Sequence, residues 1–215
     1  MLSFTQYLLE EQYAMKLVAA KDAAALLAAH HYLGRLPRAT MIVAAVYDGD
    51  KPAPVAAVFF GYPATKWQVP VLELTRLVRS PECKMSLTQL IAFACNSIKQ
   101  NKELPQLLIS YADPEAGHHG GIYQAASWNF HEKRGRYTDG GIVNGTFVPW
   151  RTLRHQYGSS SPIQVGLRNP ELNVVVHKAE GKYLYWRALD GRAKGDAKKV
   201  GLEANPYPKP GEAGS

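Results

Sequence analysis

The sequence predicts an α/β fold in which helices flank a mixed central sheet, followed by a basic C-terminal extension. Three observations predict this fold class. β-like runs are interspersed with segments of helical spacing, an Asp-Gly pair separates two adjacent β-like runs, and the later runs are joined through helix-like segments. A meander followed by crossover connections puts antiparallel and parallel pairs into one sheet.

The first half of the chain gives a clear order of elements. Residues 4–33 are rich in Ala and Leu and lack Gly and Pro, which predicts one or two helices ending near Gly34. Three strands are predicted in "TMIVAAVY", "PVAAVFFGY" and "VPVLELTRLVRS", the first two joined by a hairpin turn at "DGDKPA". The segment "SLTQLIAFACNSIKQN" has apolar residues at helical spacing, with Ser86 as its N-cap.

The second half continues this alternation and then changes character. "QLLISYAD" predicts a fourth strand, "HHGGIYQAASW" a crossover helix beginning near His118 or His119, and "NFHEKRGRY" an edge strand. "VVVHKAEGKYLYWRALD" predicts a two-stranded hairpin around Glu180-Gly181. We expect one catalytic domain over residues 1–190, within which 140–190 form an appended basic segment and hairpin, and a flexible tail over 191–215.

Composition limits the class of protein. With 46% hydrophobic and 20% charged residues in 215, the chain is expected to fold. A net charge of +7 favours a polyanionic partner. Cys83 and Cys95 form no CxxC pattern and are expected to be reduced thiols of a cytoplasmic protein. There is no apolar run of about 20 residues and no basic n-region, so neither membrane insertion nor secretion is expected.

Hydroxyl and titratable side chains are concentrated in "LLISYADPEAGHHGGIYQAASWNF". Ser110, Tyr111 and Asp113 lie at the carboxyl end of a predicted strand, where open α/β sheets bind ligands. Tyr123 follows about one turn into the next helix and is expected to reach the same opening. Asp113 alone would be explained as a cap and Tyr123 alone as a core residue, but the cluster together predicts a site.

The order of elements, with a tyrosine in the helix after the fourth strand, resembles the GNAT acyltransferase superfamily. More narrowly, "HYLGRLP", "ELTRLV", "SYADPEAGHHGGIYQAASW", "WRTLRHQYG" and "GKYLYWRALD" resemble the phage Mom family of DNA adenine-modifying proteins, over roughly His30 to Asp190. The resemblance implies an enzyme that converts adenine in double-stranded DNA to a carbamoylmethyl (acetamido) derivative at the exocyclic amine. This modification protects phage DNA from restriction in the host cytoplasm.

The cofactor implied by this resemblance is acetyl-CoA or another acyl or small-group donor. GNAT enzymes usually hold its pyrophosphate in a glycine-containing turn, but the matching "RSPECKMSLTQ" has no glycine. Lys84 and the helix N-terminus at Ser86 are the alternative contacts.

Iron is associated with the family and stays a possible cofactor. The adjacent His118 and His119 make a poor metal pair by themselves, and with Asp113 or His31 they would form a His/carboxylate site that suits iron. The spacing does not require a metal, and we assign no ligands. A homodimer is left open.

Catalytic roles follow from the resemblance together with the chemistry of four residues. Asp113 is the candidate base or hydrogen-bond acceptor for the adenine amine, and Tyr123 the candidate acid for the leaving group. Ser110 would position one of them, and Arg76 would hold a negatively charged donor or an oxyanion. Glu73, three positions before Arg76, is expected on the opposite face of the strand. The substrate-binding candidates are His31, Tyr32, Glu73, Tyr111, His118 and His119.

Cations interleaved with aromatic residues in the last third of the chain suit phosphate contact and base stacking. The DNA-binding candidates are Arg134, Arg136, Arg151, Arg154 and Lys182. Two other functions remain consistent with the sequence. One is a GNAT-type N-acyltransferase acting on a small-molecule or protein amine, with an incidental basic surface. The other is a non-catalytic DNA-binding protein.

Overall fold

The computed structural model describes residues 12–49, 51–135, 137–179 and 181–208, which form two compact units. The first unit contains the chain up to Ala112, Gly120–Glu132 and the chain from Leu184 onward, and the second contains Asp113–His119 and Lys133–Tyr183. In chain order the strands and helices are β1 (Tyr13–Val18), α1 (Ala24–His30), β2 (Thr40–Asp48), β3 (Ala56–Gly61), β4 (Val71–Arg79), α2 (Leu87–Gln100), β5 (Leu107–Ala112), α3 (Gly121–Ala125), β6 (Asn129–Lys133), β7 (Tyr137–Val143), β8 (Thr146–Pro149), α4 (Trp150–Tyr157), α5 (Pro162–Arg168), β9 (Val174–Ala179), β10 (Tyr183–Ala188) and α6 (Gly191–Lys199).

The predicted mixed sheet is confirmed. Seven strands run in the order β1-β2-β3-β4-β5-β10-β6, with antiparallel pairs from β1 to β4 and a parallel pair between β4 and β5. The predicted edge strand, β6, lies at one end of the sheet. Helix α2 packs against β2 and β3 through residues that include Leu90, Ile91 and Ile98, all fully buried. Its predicted cap is present, because Ser86 Oγ accepts a hydrogen bond from the Thr88 amide at 3.4 Å.

The prediction of helix over residues 4–33 was wrong for residues 13–18. These residues form β1, which pairs antiparallel with β2 from Tyr13 opposite Asp48 to Val18 opposite Val43. Pairing with an available sheet edge overrides the local helix propensity of Ala, Met and Leu. Only Ala24–His30 is α-helical, preceded by a 3-10 turn at Ala20–Ala23. Residues 4–11 of that prediction lie outside the described residues.

The predicted hairpin around Glu180-Gly181 was also wrong, because its two strands belong to different sheets. β10 lies between β5 and β6 in the seven-stranded sheet, whereas β9 pairs with β7 in a three-stranded sheet of order β8-β7-β9. Alternation within each strand was recognisable, but the partner of a strand is set by contacts far away in the chain.

The segment expected to be a flexible tail begins with helix α6. Asp190 caps this helix by accepting a hydrogen bond from the Ala193 amide at 2.8 Å. Ala193, Ala197 and Leu202 are buried in a core cluster that also contains Leu107. Small side chains at a four-residue spacing let the helix approach the sheet closely, although its composition is polar. Residues 209–215 of the expected tail lie outside the described part of the chain.

The second unit is built around the three-stranded sheet. Val143, Leu153 and Val165 form its buried core, with Leu153 from α4 and Val165 from α5. Pro162 of α5 is also buried, and Tyr157 of α4 is partly buried against this core. Across the described residues of both units, we find no helix with the length and apolar character needed to cross a membrane.

Candidate active site

The candidate site in the first unit begins where β4 and β5 stop pairing. Their parallel register ends at Leu74 opposite Ser110, although β4 continues to Arg79 and β5 to Ala112. Beyond that pair the two strands are no longer bonded to each other, which leaves a fork at their carboxyl ends. Ligand sites in open α/β sheets occur at such positions. We refer to this region as the β4–β5 fork.

A chain of oxygen atoms lies at the β4–β5 fork. The Oγ of Ser110, which is fully buried, lies 2.9 Å from the carbonyl oxygen of Leu74 and 2.8 Å from the Oη of Tyr123. The carbonyl can only accept, so the single proton of Ser110 serves either Leu74 or Tyr123 at one time. When Ser110 donates to Leu74, its oxygen is available to accept from Tyr123. The three groups therefore form a connected, switchable hydrogen-bond chain.

Tyr123 is held in place by a tight helix start. It is the third residue of α3, and the preceding Gly120 has a φ of +85°. A Cβ atom on Gly120 would lie 2.2 Å from the ring of Tyr185, so only glycine fits this position. The ring of Tyr123 packs against Tyr185 at 5.2 Å and Trp128 at 5.5 Å between centroids. These contacts fix the phenol at the fork.

The electrostatics of the fork keep Tyr123 protonated. Burial raises the pKa of Tyr123 to about 12, and the hydrogen bond with Ser110 partly opposes this rise. The negative charge of Glu73 raises the pKa further. At neutral pH the phenol therefore carries its proton and can donate it, with Ser110 available to stabilise the phenolate that results.

A β-bulge in β4 brings Glu73 and Arg76 to one face, contrary to the expectation that they lie on opposite faces. Arg76 pairs with Phe59 and Leu74 with Phe60, so Thr75 is an extra residue without its own partner in β3. One extra residue shifts the in-and-out alternation by one position. Consistent with a shared face, the charge of Glu73 acts on the pKa values of both Arg76 and Tyr123.

Arg76 is a half-buried cation with an unused donor. Burial lowers the pKa of Arg76, the neighbouring Tyr32 and Glu73 raise it, and Arg35 lowers it again. Its Nη1 donates to the carbonyl of Thr75 at 2.6 Å. Among the atoms that the structure describes, none accepts a hydrogen bond from its buried Nε. A guanidinium with a buried, unused N–H is suited to an anionic or carbonyl oxygen.

The segment after α1 contributes to the same site. His31 ends α1 and its ring stacks on Tyr32 with centroids 4.7 Å apart. Tyr32 is 60% exposed, and its phenol lies close enough to affect the pKa values of Arg76 and Tyr123. Arg35, four residues after His31, was missed by sequence reasoning although it lies within the quoted "HYLGRLP". Its basic charge next to a predicted site tyrosine was the available signal.

Comparison with known proteins identifies the family and the fold. The model of the Mom protein family matches residues 12–209. This chain belongs to the Mom protein family. A comparison with curated proteins gives no match.

Solved GNAT acetyltransferases are similar in structure to this Mom-family chain. The GNAT family N-acetyltransferase YhbS from Escherichia coli, in complex with CoA, has a TM-score of 0.50 and 12% identity, covering 90% of this chain and 96% of that chain. A GNAT acetyltransferase from Elizabethkingia anophelis with acetyl-CoA bound has a TM-score of 0.46 and 10% identity, covering 83% and 99%. The ribosomal-protein-S18-alanine N-acetyltransferase from Escherichia coli has a TM-score of 0.48 and 7% identity, covering 83% and 94%. The likeness to YhbS shows the predicted GNAT-like fold.

The remaining sequence candidates of this Mom-family protein are not members of the hydrogen-bonded chain at the fork. Tyr111 alternates with Ser110 on β5 and packs against the core cluster of Leu107 and Ile109, on the other face of the sheet. Asp113 belongs to the second unit, where it accepts from the Glu115 amide at 3.1 Å and pairs with Lys182 at 2.8 Å.

The two adjacent histidines also lie in the second unit. His118 and His119 are both exposed, and the His118 amide donates to the carbonyl of Asp113 at 2.9 Å. Within the described ranges, no three His, Cys, Asp or Glu side chains are grouped so that they could hold a metal ion. The donor set found there does not fit an iron site, and no step below uses iron.

The four DNA-binding candidates within the described residues all belong to the second unit. Arg134, Arg151 and Arg154 are exposed, and the guanidinium of Arg151 lies 4.9 Å from the ring centroid of Trp150. Lys182 is about one-third exposed and pairs with Asp113. Arg136 lies outside the described residues.

The turn between β4 and α2, where GNAT enzymes hold the pyrophosphate of their donor, is partly occupied by internal hydrogen bonds. The Lys84 amide donates to the hydroxyl of Tyr13 at 3.0 Å, and the Thr88 amide donates to Ser86. These amides are therefore not free to bind an anion. The turn fits a CoA pyrophosphate incompletely, in agreement with its lack of glycine.

Proposed function

We propose that this protein modifies adenine in double-stranded DNA at the exocyclic amine, giving a carbamoylmethyl derivative that protects the DNA from restriction. Membership of the Mom family over residues 12–209 supports the substrate, and the GNAT-like fold supports group transfer to an amine. The observation that carries the chemistry is the buried Tyr123–Ser110 hydrogen bond of 2.8 Å at the β4–β5 fork.

Tyr123 acts as the general acid. In the transfer, a carbon–nitrogen bond forms to the adenine amine, the amine loses one proton, and the leaving group of the donor departs. Because its pKa is about 12, Tyr123 holds a proton for that leaving group. Ser110 then turns its hydroxyl from the Leu74 carbonyl to the phenolate, which limits the cost of a buried negative charge.

Arg76 binds the oxygen on which negative charge develops. Its buried Nε is directed at no protein acceptor among the described residues, so the donor supplies one. With Arg35 and Glu73 near it, the fork carries one net positive charge from these three side chains, which favours an anionic donor.

Asp113 is the acceptor for the adenine amine. Its two carboxylate oxygens are already engaged by the Glu115 amide and by Lys182, but each oxygen has a second lone pair. The pairing with Lys182 fixes the orientation of the carboxylate. In the proposed role, one of these two remaining lone pairs accepts a hydrogen bond from the amine of the bound base, and the proton that the amine releases passes to solvent.

The donor that balances this reaction has a carbamoylmethyl group whose methylene carbon is bonded to the leaving group, and that bond breaks as the carbon–nitrogen bond forms. The GNAT-like fold by analogy suggests an acyl-CoA donor, which would give an acyl derivative instead. An acetyl group would bind the amine through its carbonyl carbon. A carbamoylmethyl group binds through a methylene carbon and contains an additional nitrogen, so the two products differ in mass. The incomplete fit of the turn before α2 favours a donor other than acetyl-CoA itself.

Mass spectrometry of nucleosides from the DNA of cells that produce the protein tests this function. We expect an adenosine derivative with the mass of the carbamoylmethyl product, absent from cells with an Asp113→Asn, Tyr123→Phe double variant. An acetyl derivative would assign acetyl-CoA as donor. Unmodified adenosine throughout would overturn the proposal and favour acylation of a small-molecule or protein amine. Asp113→Asn protein that folds and modifies at the wild-type rate would remove Asp113 from the mechanism.

A further inference from the structure

Helix α4 in the second unit has a basic, aromatic face that its own fold does not use. Leu153 points into the core of the unit and is fully buried. Trp150, Arg151, Arg154 and His155 are exposed, and these four positions form one side of the helix, because residues four apart lie above one another. Residues 140–170 contain no Asp or Glu, so this face is not neutralised by acids of its own segment.

An open cavity of about 440 Å³ lies next to this face. Trp150 and Ile163 are apolar residues of its wall that are 41% and 61% exposed. Thr138, Ser160 and Ser161 contribute hydroxyl groups to the same lining. Small-molecule sites commonly have volumes of about 300–1,000 Å³ and combine apolar walls with a few polar groups. The cavity therefore has both the size and the composition of a site for a flat, polar-edged ring.

We propose that this cavity binds a nucleobase of the DNA substrate, stacked on Trp150, while Arg151 and Arg154 contact the adjoining phosphates. The inference rests on the proposed function for the identity of the nucleic acid. An indole stacks on any base, and the guanidinium of Arg151, held 4.9 Å from the indole centroid, lies where a phosphate can reach it. Exposed hydroxyls such as that of Ser160 are suited to the hydrogen-bonding edge of the base.

The charge of the unit favours DNA over a protein partner. Among its residues are eight Lys and Arg against five Asp and Glu, and the acids lie outside the 140–170 segment. The guanidinium of Arg151 lies against the ring of Trp150. A cation interleaved with an aromatic side chain is the pattern of a nucleic-acid surface.

Equilibrium binding of the full-length protein to a fluorescein-labelled DNA duplex tests the stacking contact. We expect Trp150→Ala to weaken binding by about 10-fold, because base stacking is lost, and Trp150→Phe to retain most of the affinity. Phe147→Ala is the matched control. Phe147 is another aromatic residue of the second unit, 43% exposed, and it packs on His177 rather than lining the cavity. Equal affinities of wild type and Trp150→Ala would overturn the inference.

The salt dependence of binding tests the phosphate contacts. Each phosphate contact contributes about −0.9 to the slope of log K against log salt. We expect the Arg151→Ala, Arg154→Ala double variant to have a shallower slope by about 2, and the exposed-cation control Lys198→Ala to keep the wild-type slope. An unchanged slope in the double variant would overturn the assignment of these arginines.

Two measurements, modified adenosine in cells and duplex binding by Trp150→Ala, distinguish failure of the cavity proposal from failure of the proposed function. Cells that produce modified adenosine while Trp150→Ala binds the duplex normally would leave the function standing and remove the cavity from it. Duplex binding that depends on Trp150, without any modified adenosine in cells, would support the cavity as a DNA site and overturn the proposed function. A Trp150 effect seen with an RNA duplex and absent with DNA would overturn the inference, since the cavity would then serve a different nucleic acid.

Discussion

The β4–β5 fork of the first unit and the α4 face of the second unit differ in the burial of their polar side chains. At the fork, Ser110 and Tyr123 are buried, and their hydroxyls bond to each other and to the backbone. On the α4 face, Trp150 and Arg151 are exposed, and the guanidinium of Arg151 lies 4.9 Å from the indole centroid. The fork depends on desolvation, which raises the pKa of Tyr123, whereas the α4 face depends on accessible charge.

In the proposed function, this difference separates the reaction at the fork from the binding of DNA by the α4 face. A proton donor needs a fixed geometry and a dry setting, which a large central sheet provides through buried neighbours. A surface that binds a polyanion needs accessible cations, and Arg151 and Arg154 of the α4 face are exposed. Variants at the fork should therefore change rate, and variants on the α4 face should change affinity.

The largest expected effect is that of Tyr123→Phe on modification. Removing the general acid should lower the single-turnover rate of DNA modification by about 10²–10³-fold, while duplex affinity stays within about twofold of wild type. Tyr207→Phe is the control, since it removes a hydroxyl that donates to the Trp128 carbonyl elsewhere in the first unit. A Tyr123→Phe protein with normal rate and weakened DNA binding would reverse the assignment of roles.

Gly120→Ala should destabilise the fork itself. The added Cβ would meet the buried ring of Tyr185 at a backbone φ of +85°. We expect a loss of about 2–4 kcal/mol in the free energy of unfolding, measured by urea denaturation. Gly195→Ala in α6 is the matched control. It adds the same atom where nothing lies within 4 Å and should be neutral or stabilising. Equal effects of the two substitutions would contradict the close packing at Gly120.

Arg76→Lys tests whether the fork needs a guanidinium or only a positive charge. Lysine keeps the positive charge but lacks the Nε donor and the planar guanidinium group. The modification rate should therefore fall about 10-fold, with DNA affinity unchanged. The control is Arg192→Lys, on the exposed side of α6. If lysine restores the full rate, Arg76 acts through charge alone.

A further effect concerns stability at high pH, where DNA modification itself is not measured. Tyrosine in an unfolded chain titrates near 10, and folding raises the pKa of Tyr123 to about 12. The folded state thus favours the protonated phenol. Its contribution is complete below about pH 10 and is lost as the pH rises towards 12, with a magnitude on the order of 2 kcal/mol. The wild-type free energy of unfolding should therefore fall more steeply than that of Tyr123→Phe in this window. Parallel curves would show that Tyr123 is solvated.

Sequence patterns predicted the parts of the structure that depend on local periodicity. The apolar spacing of α2, its Ser86 cap and the strands from β2 to β5 were all recognisable. β1 was missed because pairing with β2 outweighed its helix propensity. β9 and β10 were joined wrongly because the partner of a strand is a long-range property.

In the candidate site, too, features set by local spacing could be predicted and features set by long-range pairing could not. The spacing from Ser110 to Tyr123 was sufficient to predict that both lie at the end of β5, and the two hydroxyls are hydrogen-bonded. The shared face of Glu73 and Arg76 could not be predicted, because the bulge at Thr75 depends on the register with β3. Arg35 affects Arg76 through a loop whose course the sequence does not determine.

Modification of adenine with Tyr123 as the proton donor is tested by nucleoside mass spectrometry. The DNA comes from cells that produce wild type, Tyr123→Phe or Trp150→Ala protein at equal levels. We expect the carbamoylmethyl adenosine mass with wild type, its near absence with Tyr123→Phe, and a reduced amount with Trp150→Ala that increases with protein concentration. Unmodified adenosine with wild type, or full modification with Tyr123→Phe, would contradict it.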